Sequence, residues 1–279
     1  MKSIKITFAL TLVFIVIMAA LPATAEEQAK PVVTEQKVAV HTDVQPKEAR
    51  DYKIDVNIKG RMPVIDSPEP VSLDAIYSLK IRHTYGKRED DGLMPLEIAV
   101  TNMETTVDGQ KLTVAPSFPK LTLLIDRQWK VENLFGTAGT RYADPVPGIN
   151  YVNLITLFYL PDGDKPHAIG ESWKTRIKLP GLADVYNFTS TIKSTGELDG
   201  VKTATVHQDI VWDPQKLEGD VTAATKAAVD SVFALDTGKL LKSHADCQIV
   251  FTSSANKTNS QQESKPQQAN IQVDISLPK

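Results

Sequence analysis

Five histidines, His41, His83, His167, His207 and His244, are the side chains of this sequence best suited to proton transfer or to holding zinc. Their spacing supports neither role. No two stand one helical turn apart with a glutamate between them, and no two lie within hairpin distance. His207 with Asp209 and a partner on a neighbouring strand is the one arrangement a sheet would assemble, and a histidine beside an aspartate on a strand's polar face reads as ordinary surface. The carboxylates Glu89, Asp90 and Asp91, and Asp162 and Asp164 around Gly163, read as turn formers. The Asp-Gly-Asp piece lacks the remaining ligands of a calcium loop. The chain contains no Gly-x-Ser-x-Gly elbow, phosphate loop or dinucleotide fingerprint, and Gly181, Gly196 and Gly200 fall at turns rather than ahead of helices. Cys247 alternates with Ala245, Ile249 and Phe251, the setting of a buried, inert thiol. The expectation is therefore no catalytic residue, no metal and no cofactor. A hydrolase with a site assembled across strands stands as the minority alternative.

What remains is contact chemistry. Of Trp129, Trp173 and Trp212, Trp129 lies at a turn among charged residues and is the one expected to be exposed, whereas Trp173 follows a turn, opens a strand and is expected to pack. Trp129, with Leu154, Leu157 and Phe158 from the apolar segment 149–160, makes up the candidate contact set for an apolar ligand or a protein partner. The Asn187 and Asn256 sequons are given no role.

The elements that must position these residues are mainly strands. Tyr52, Ile54, Val56 and Ile58 alternate with polar residues, as do Tyr77, Leu79 and Ile81, then Leu96, Ile98 and Val100, and the habit returns around Leu121, Val206 and Ile249. Such alternation describes antiparallel strands with one wet face. Asp108-Gly109 and Asp199-Gly200 supply the positive φ angles of tight hairpins. After each hairpin an apolar strand runs into an aspartate, Asp126 in one case and Asp236 in the other, which suggests an internal repeat whose second copy is longer by about 19 residues. That added piece includes the alanine-rich stretch 221–229, a candidate short helix. Segment 149–160 suits either a helix laid on the sheet or a buried strand, and Pro147 before it and Pro161 after it favour the helix.

The ends set the context. Lys2 and Lys5 precede an apolar run from Ile6 to Ala20, then Ala23-Thr24-Ala25, the order of a secretory signal cut after residue 25. An uncleaved anchor is the alternative, and the only membrane contact expected. Loss of Lys2 and Lys5 takes the formal charge from −3 to −5, which argues against nucleic acid or an anionic membrane surface as partner. With one cysteine there is no internal disulfide, so the fold rests on its core. The expected layout is a signal at 1–25, a flexible spacer at 26–50, a first β unit at 51–145, a helix plus second β unit at 146–253, a disordered tether at 254–270, and a terminal strand at 271–279 that joins a sheet edge or does not pack.

Ile169-Gly170-Glu171-Ser172-Trp173, followed by a strand, an Asp-Gly hairpin and a closing strand ending Asp236-Thr237-Gly238-Lys239, resembles a loose group of exported bacterial proteins of unknown function over residues 51–253. The resemblance implies curved antiparallel sheets with helices on the concave face, similar in outline to periplasmic lipoprotein carriers, and implies a fold more than a function. The fold class expected is α+β and mostly β: two similar antiparallel units, or one curved sheet, with one or two helices on the apolar face. The function expected is that of a non-enzymatic binding protein, periplasmic, in the cell envelope or secreted, for an apolar ligand. A structural or protein-interaction module with an envelope protein partner is the alternative.

Overall fold

The structure, a computed structural model, describes residues 37–41, 43–63, 70–112, 120–126, 130–135, 154–178, 185–217, 221–253 and 266–278. The expected signal, Trp129, residues 149–153 and most of the expected tether lie outside the described residues.

Fifteen strands are described: β1 (Lys37–Val38), β2 (Ala49–Met62), β3 (Val71–Tyr85), β4 (Met94–Val107), β5 (Gln110–Leu112), β6 (Leu121–Ile125), β7 (Val131–Phe135), β8 (His167–Ala168), β9 (Ser172–Lys178), β10 (Val185–Leu198), β11 (Val201–Trp212), β12 (Gln215–Lys216), β13 (Val221–Ala234), β14 (Leu240–Ser253) and β15 (Gln267–Ser276). Thirteen of them form one antiparallel sheet in the order β7-β6-β4-β3-β2-β15-β14-β13-β11-β10-β9, with β5 beside β4 and β12 beside β13. β1 and β8 make a separate two-stranded pair. The long strands, such as the 14 residues of β2, reach roughly 45 Å at about 3.4 Å per residue. The two ends of the sheet are therefore distinct places.

Period-two chemistry sorts the faces. Tyr52, Ile54, Val56 and Ile58 on β2 are buried, as are Ala269, Ile271, Val273 and Ile275 on β15, while the residues between them face outward. The inward set from all the long strands joins in one apolar cluster. Register shifts at Lys80/Ile81, Leu124/Ile125, Ile192/Ser194 and Val232/Phe233 are bulges, which bend strands and increase their twist. Both hairpin signals are realised: Asp108 and Gly109 have φ of 48° and 76°, and Asp199 and Gly200 have 51° and 79°, the left-handed pair of a type I′ turn.

The expected helices are corrected. Residues 221–229 belong to β13, where Val221, Ala223, Thr225, Ala227 and Val229 alternate inward, in register with β14 on one side and with β12 and then β11 on the other. Alanine's helix propensity is a fraction of a kcal/mol per residue, and two flanking ladders outweigh it. The described part of segment 149–160 holds only a single turn, completed as a 3-10 turn at Thr156–Phe158. No helix among the described residues covers the apolar face.

The C-terminal strand also differs from expectation. β15 starts at Gln267, within the stretch expected to be tether, and lies inside the sheet between β14 and β2 with both of its edges occupied. It joins the meander β2–β7 to the meander β9–β14. The Asp126 and Asp236 strands are not equivalent in this order. β6, which ends at Ile125, pairs with β4, the strand entering the first Asp-Gly turn; β13, which runs toward Asp236, lies one strand beyond the second hairpin.

Candidate binding site at one end of the apolar face

At the end of the sheet where β2 begins and β3 finishes, polar residues continue the inward row. Arg50 lies opposite His83 in the β2–β3 ladder, and Tyr52 and Tyr85 share their face. Three further segments converge on them. Val40 donates its N–H to Gly163 O at 2.7 Å, His41 donates to Leu235 O at 3.0 Å, and the turn after β13 brings Phe233, Gly238 and Leu240. The segment after Thr156 brings Phe158, Tyr159 and Leu160.

That last segment is held by the residues that follow it. Gly170 takes φ of 87° and turns the chain into β9, where Trp173 Nε1 donates to Pro161 O at 3.0 Å and stacks on His167 at 3.7 Å between ring centres. Asp162, itself at φ of 56°, accepts from Thr175 Oγ1 at 2.9 Å and pairs with Lys165. From the sheet floor, Gln208 Nε2 donates to Tyr159 O at 3.2 Å. The Gly-x-x-Trp element is a brace for the segment above it.

These segments enclose a cavity of about 30 Å³ lined by Val40, Arg50, Tyr52, His83, Tyr85 and Phe158 with their neighbours. Arg50 is 3% exposed, donates Nε to Glu48 at 2.7 Å and an Nη to Thr237 O at 3.3 Å, and sits 5.0 Å above the Tyr85 ring. Tyr52, His83 and Phe158 form a triad of rings, each pair 4.8–5.0 Å apart. Burial, and secondarily the charge of Arg50, push the His83 pKa down to about 3, so this imidazole is neutral across the physiological range. Its Nε2 is buried and finds no hydrogen-bond partner among the described residues. Burial likewise drives the Tyr85 phenol up to about 12, and the Tyr159 phenol well above its ordinary value. None of these groups is poised to exchange a proton near neutral pH.

The outward face carries a second polar feature. One row of cross-strand partners reads Thr191, His207, Asp230, His244, Asp274, Asp55, Ser78 and Glu104. His207 Nδ1 lies 2.8 Å from Asp230 and its Nε2 3.6 Å from Asp209; His244 Nδ1 lies 2.7 Å from Asp274 and its Nε2 3.4 Å from Asp246. Each imidazole thus has its two carboxylates on opposite ring nitrogens, and one ion cannot take all three groups. Among the described residues no group of three such side chains converges to hold a metal.

Of the predicted contacts, Leu154 and Leu157 lie in the apolar cluster and Phe158 lines the cavity; Trp129 lies outside the described residues. Glu89 and Asp91 serve a loop, with Gly92 N donating to Glu89 O at 3.0 Å and Leu93 N to Asp91 Oδ1 at 2.9 Å. Cys247 is buried. Sequence reasoning passed over Arg50 and His83, although extending the β2 and β3 alternations by two residues each puts both on the apolar face.

No protein-family model matches the chain, and no curated protein matches it. Among solved structures, the chain is similar to lipovitellin in a structure describing its lipid–protein interactions, with 85% of this chain aligned at a TM-score of 0.51 and 9% identity. The alignment takes in 26% of lipovitellin's length, and the likeness is one of fold. DynF, from the dynemicin biosynthesis pathway of Micromonospora chersina, aligns over 92% of both chains at a TM-score of 0.23 and 6% identity, too low to carry an argument.

Proposed function

We propose that this chain is a non-enzymatic, exported binding protein, of the cell envelope or secreted, whose inward sheet face receives an apolar ligand. The observation that carries this reading is the wide inward face, apolar on every long strand and ending in a small, partly open cavity of mixed polar and apolar lining. An apolar sheet face must be covered to be stable, and an apolar ligand covers it as well as a second layer of protein does. Among the described residues the inward side chains are already buried within the chain, so a ligand takes its place by displacing part of that packing rather than by covering an open face. The fold shared with lipovitellin, a protein described for its interactions with lipid, supports the same reading. The lysines of the N-terminus and the Ala-Thr-Ala step support export.

The test is native mass spectrometry of the chain purified gently from an exporting host, followed by organic extraction. A mass adduct that extracts as lipid or another apolar compound is the expected result. A bare chain, which also fails to take up a long-chain hydrocarbon or acylglycerol supplied in excess, overturns the proposal.

A further inference from the structure

β9 ends the sheet on one side. It pairs with β10, and among the described residues no strand pairs with its other edge. The alternation of the ladder fixes which residues face that open edge. Val185 O accepts from Asp213 N at 2.9 Å on the β11 side, so the odd-numbered residues of β10 bond toward β11 and the even-numbered ones toward β9. Tyr186, Phe188 and Ser190 stand opposite Ile177, Thr175 and Trp173. Those three β9 residues therefore bond to β10, and Ser172, Lys174, Arg176 and Lys178 turn their N–H and C=O groups to the open edge.

The side chains of the same residues share one face. Lys174, Arg176 and Lys178 are exposed on the outward side, while Trp173, Thr175 and Ile177 are half-buried on the other. Arg176 lies 3.6 Å from Asp213 with 70% of its side chain exposed, and Lys174 and Lys178 form no ion pair among the described residues. Across the ladder from Lys174 and Arg176 stand the uncharged Thr189 and Asn187. The inner side of the strand is fixed, with Trp173 tied to Pro161 and stacked on His167, and Thr175 tied to Asp162. The edge is held extended before any partner arrives, which lowers the ordering cost of adding a strand.

The charges select among the strands that could be added. In an antiparallel addition, the residue directly opposite Lys174 or Arg176 points its side chain to the same outward face. A second copy of β9 would set cation against cation, which is destabilising. β7, at the other end of the sheet, brings one carboxylate, Glu132, already paired with Lys130. An extended segment with a carboxylate at every second residue meets the three cations in turn, and its backbone continues the ladder. A polyanion without peptide groups meets the cations but leaves the edge unpaired.

We infer that the open edge of β9 docks an extended acidic segment of another protein, added as an antiparallel strand with carboxylates at alternate residues opposite Lys174, Arg176 and Lys178. The docked strand uses the edge and the outward side of the sheet, so it stands independently of the apolar-ligand reading.

The test uses the full chain and a short fluorescent peptide in which glutamate alternates with threonine, followed by fluorescence anisotropy. The alternating peptide is expected to bind, and a peptide of the same composition with its glutamates in one block to bind about tenfold more weakly. In the docked register the glutamates, and not the threonines, exchange main-chain bonds with β9. N-methylation of the glutamates is therefore expected to abolish binding and N-methylation of the threonines to preserve it, at unchanged charge. The double variant Lys174→Glu with Lys178→Glu is expected to lose the glutamate peptide by about tenfold or more and to take up its lysine–threonine counterpart, an exchange of preference that misfolding does not produce. Equal binding of the two N-methylated peptides, or of the block and alternating peptides, is the result of charge attraction alone and overturns the inference. Failure of the alternating peptide to bind overturns it too, as does tighter binding of phosphatidylglycerol vesicles that the double variant loses, the result if the strip meets a membrane.

Discussion

Gly60 is the position where the joining of the two meanders is most exposed to test. It lies on β2 opposite Ala269 of β15, with φ of 156°. A Cβ built there would meet Gln268 O at 2.3 Å and Ala269 Cα at 2.6 Å, both backbone atoms that cannot swing aside. Gly60→Ala therefore combines two penalties. The positive φ costs an alanine about 1–2 kcal/mol, and forcing an extra carbon into packed structure costs about 1–3 kcal/mol more. The total is about 3 kcal/mol, a large share of the ~5–15 kcal/mol that holds a domain folded. For a chain of this size that is a fall in Tm of about 6–12 °C, using about 2–4 °C per kcal/mol. Gly196→Ala is the control, because Gly196 sits on β10 with only Thr203 Oγ1 nearby at 3.8 Å. Its Tm is expected to stay within about 2 °C, the range of an uncrowded surface change. Scanning calorimetry of the three proteins decides the matter. Equal Tm values for Gly60→Ala and Gly196→Ala would refute the close approach of β15 to β2, and with it the argument that the C-terminal strand joins the sheet.

Three further outcomes follow from the same geometry. A chain ending at residue 266 lacks β15, leaves the edges of β2 and β14 unpaired, and is expected to lose cooperative unfolding; a sharp transition with unchanged midpoint in urea would contradict the interior placement of that strand. Cys247 is 5% exposed and its pKa is driven up to about 12, chiefly by burial, so DTNB at pH 8 is expected to modify it only as fast as the protein unfolds, and stoichiometric labelling of the native protein within minutes would contradict its burial. The His244 pKa is raised above the ordinary 6.5, first by its hydrogen bond to Asp274; burial opposes this, and the charges of Asp274 and Asp246 add to the rise. A raised folded-state pKa gives stability that is complete below about 6.5 and is lost as pH rises through the folded value. Because His244 is nearly half exposed, the contribution is about 0.5 kcal/mol, and His244→Asn is expected to flatten the fall in urea midpoint between pH 5.5 and pH 8.5 by that amount; identical pH slopes would remove the pair from the account.

The strands were legible because alternation is a local signal. Tyr52 to Ile58 and Leu96 to Val100 announce a buried face without reference to any partner, and Asp108-Gly109 and Asp199-Gly200 announce turns because few residue pairs accept two positive φ angles. The failure at residues 221–229 was a matter of pairing. Residues 221–229 alternate as strictly as β2 does, but with alanine at both kinds of position the contrast between faces nearly vanishes, and helix propensity was the only signal left. The ladders to β11 and β14 that overrule it are contributed by residues distant in sequence.

The same limit explains the candidate site. Arg50 and His83 read as polar residues at the margins of apolar strands, where polarity normally marks the end of burial. Both are instead on the buried face, and what keeps them there is a set of contacts no local pattern contains: Arg50 reaches the carbonyl of Thr237 across 187 residues, and His83 packs on Phe158 from the segment braced by Trp173. Parity along a strand was enough to assign their side. Only the pairing of β2 with β3, and the closure of that end by the turns after β13 and Phe158, turns two marginal polar residues into one enclosed site. A site of this kind is written into a β protein as an interruption of the apolar row at matching positions on adjacent strands, here position 50 against position 83. The interruption is visible in a sequence once the register is known, and carries no signal before it.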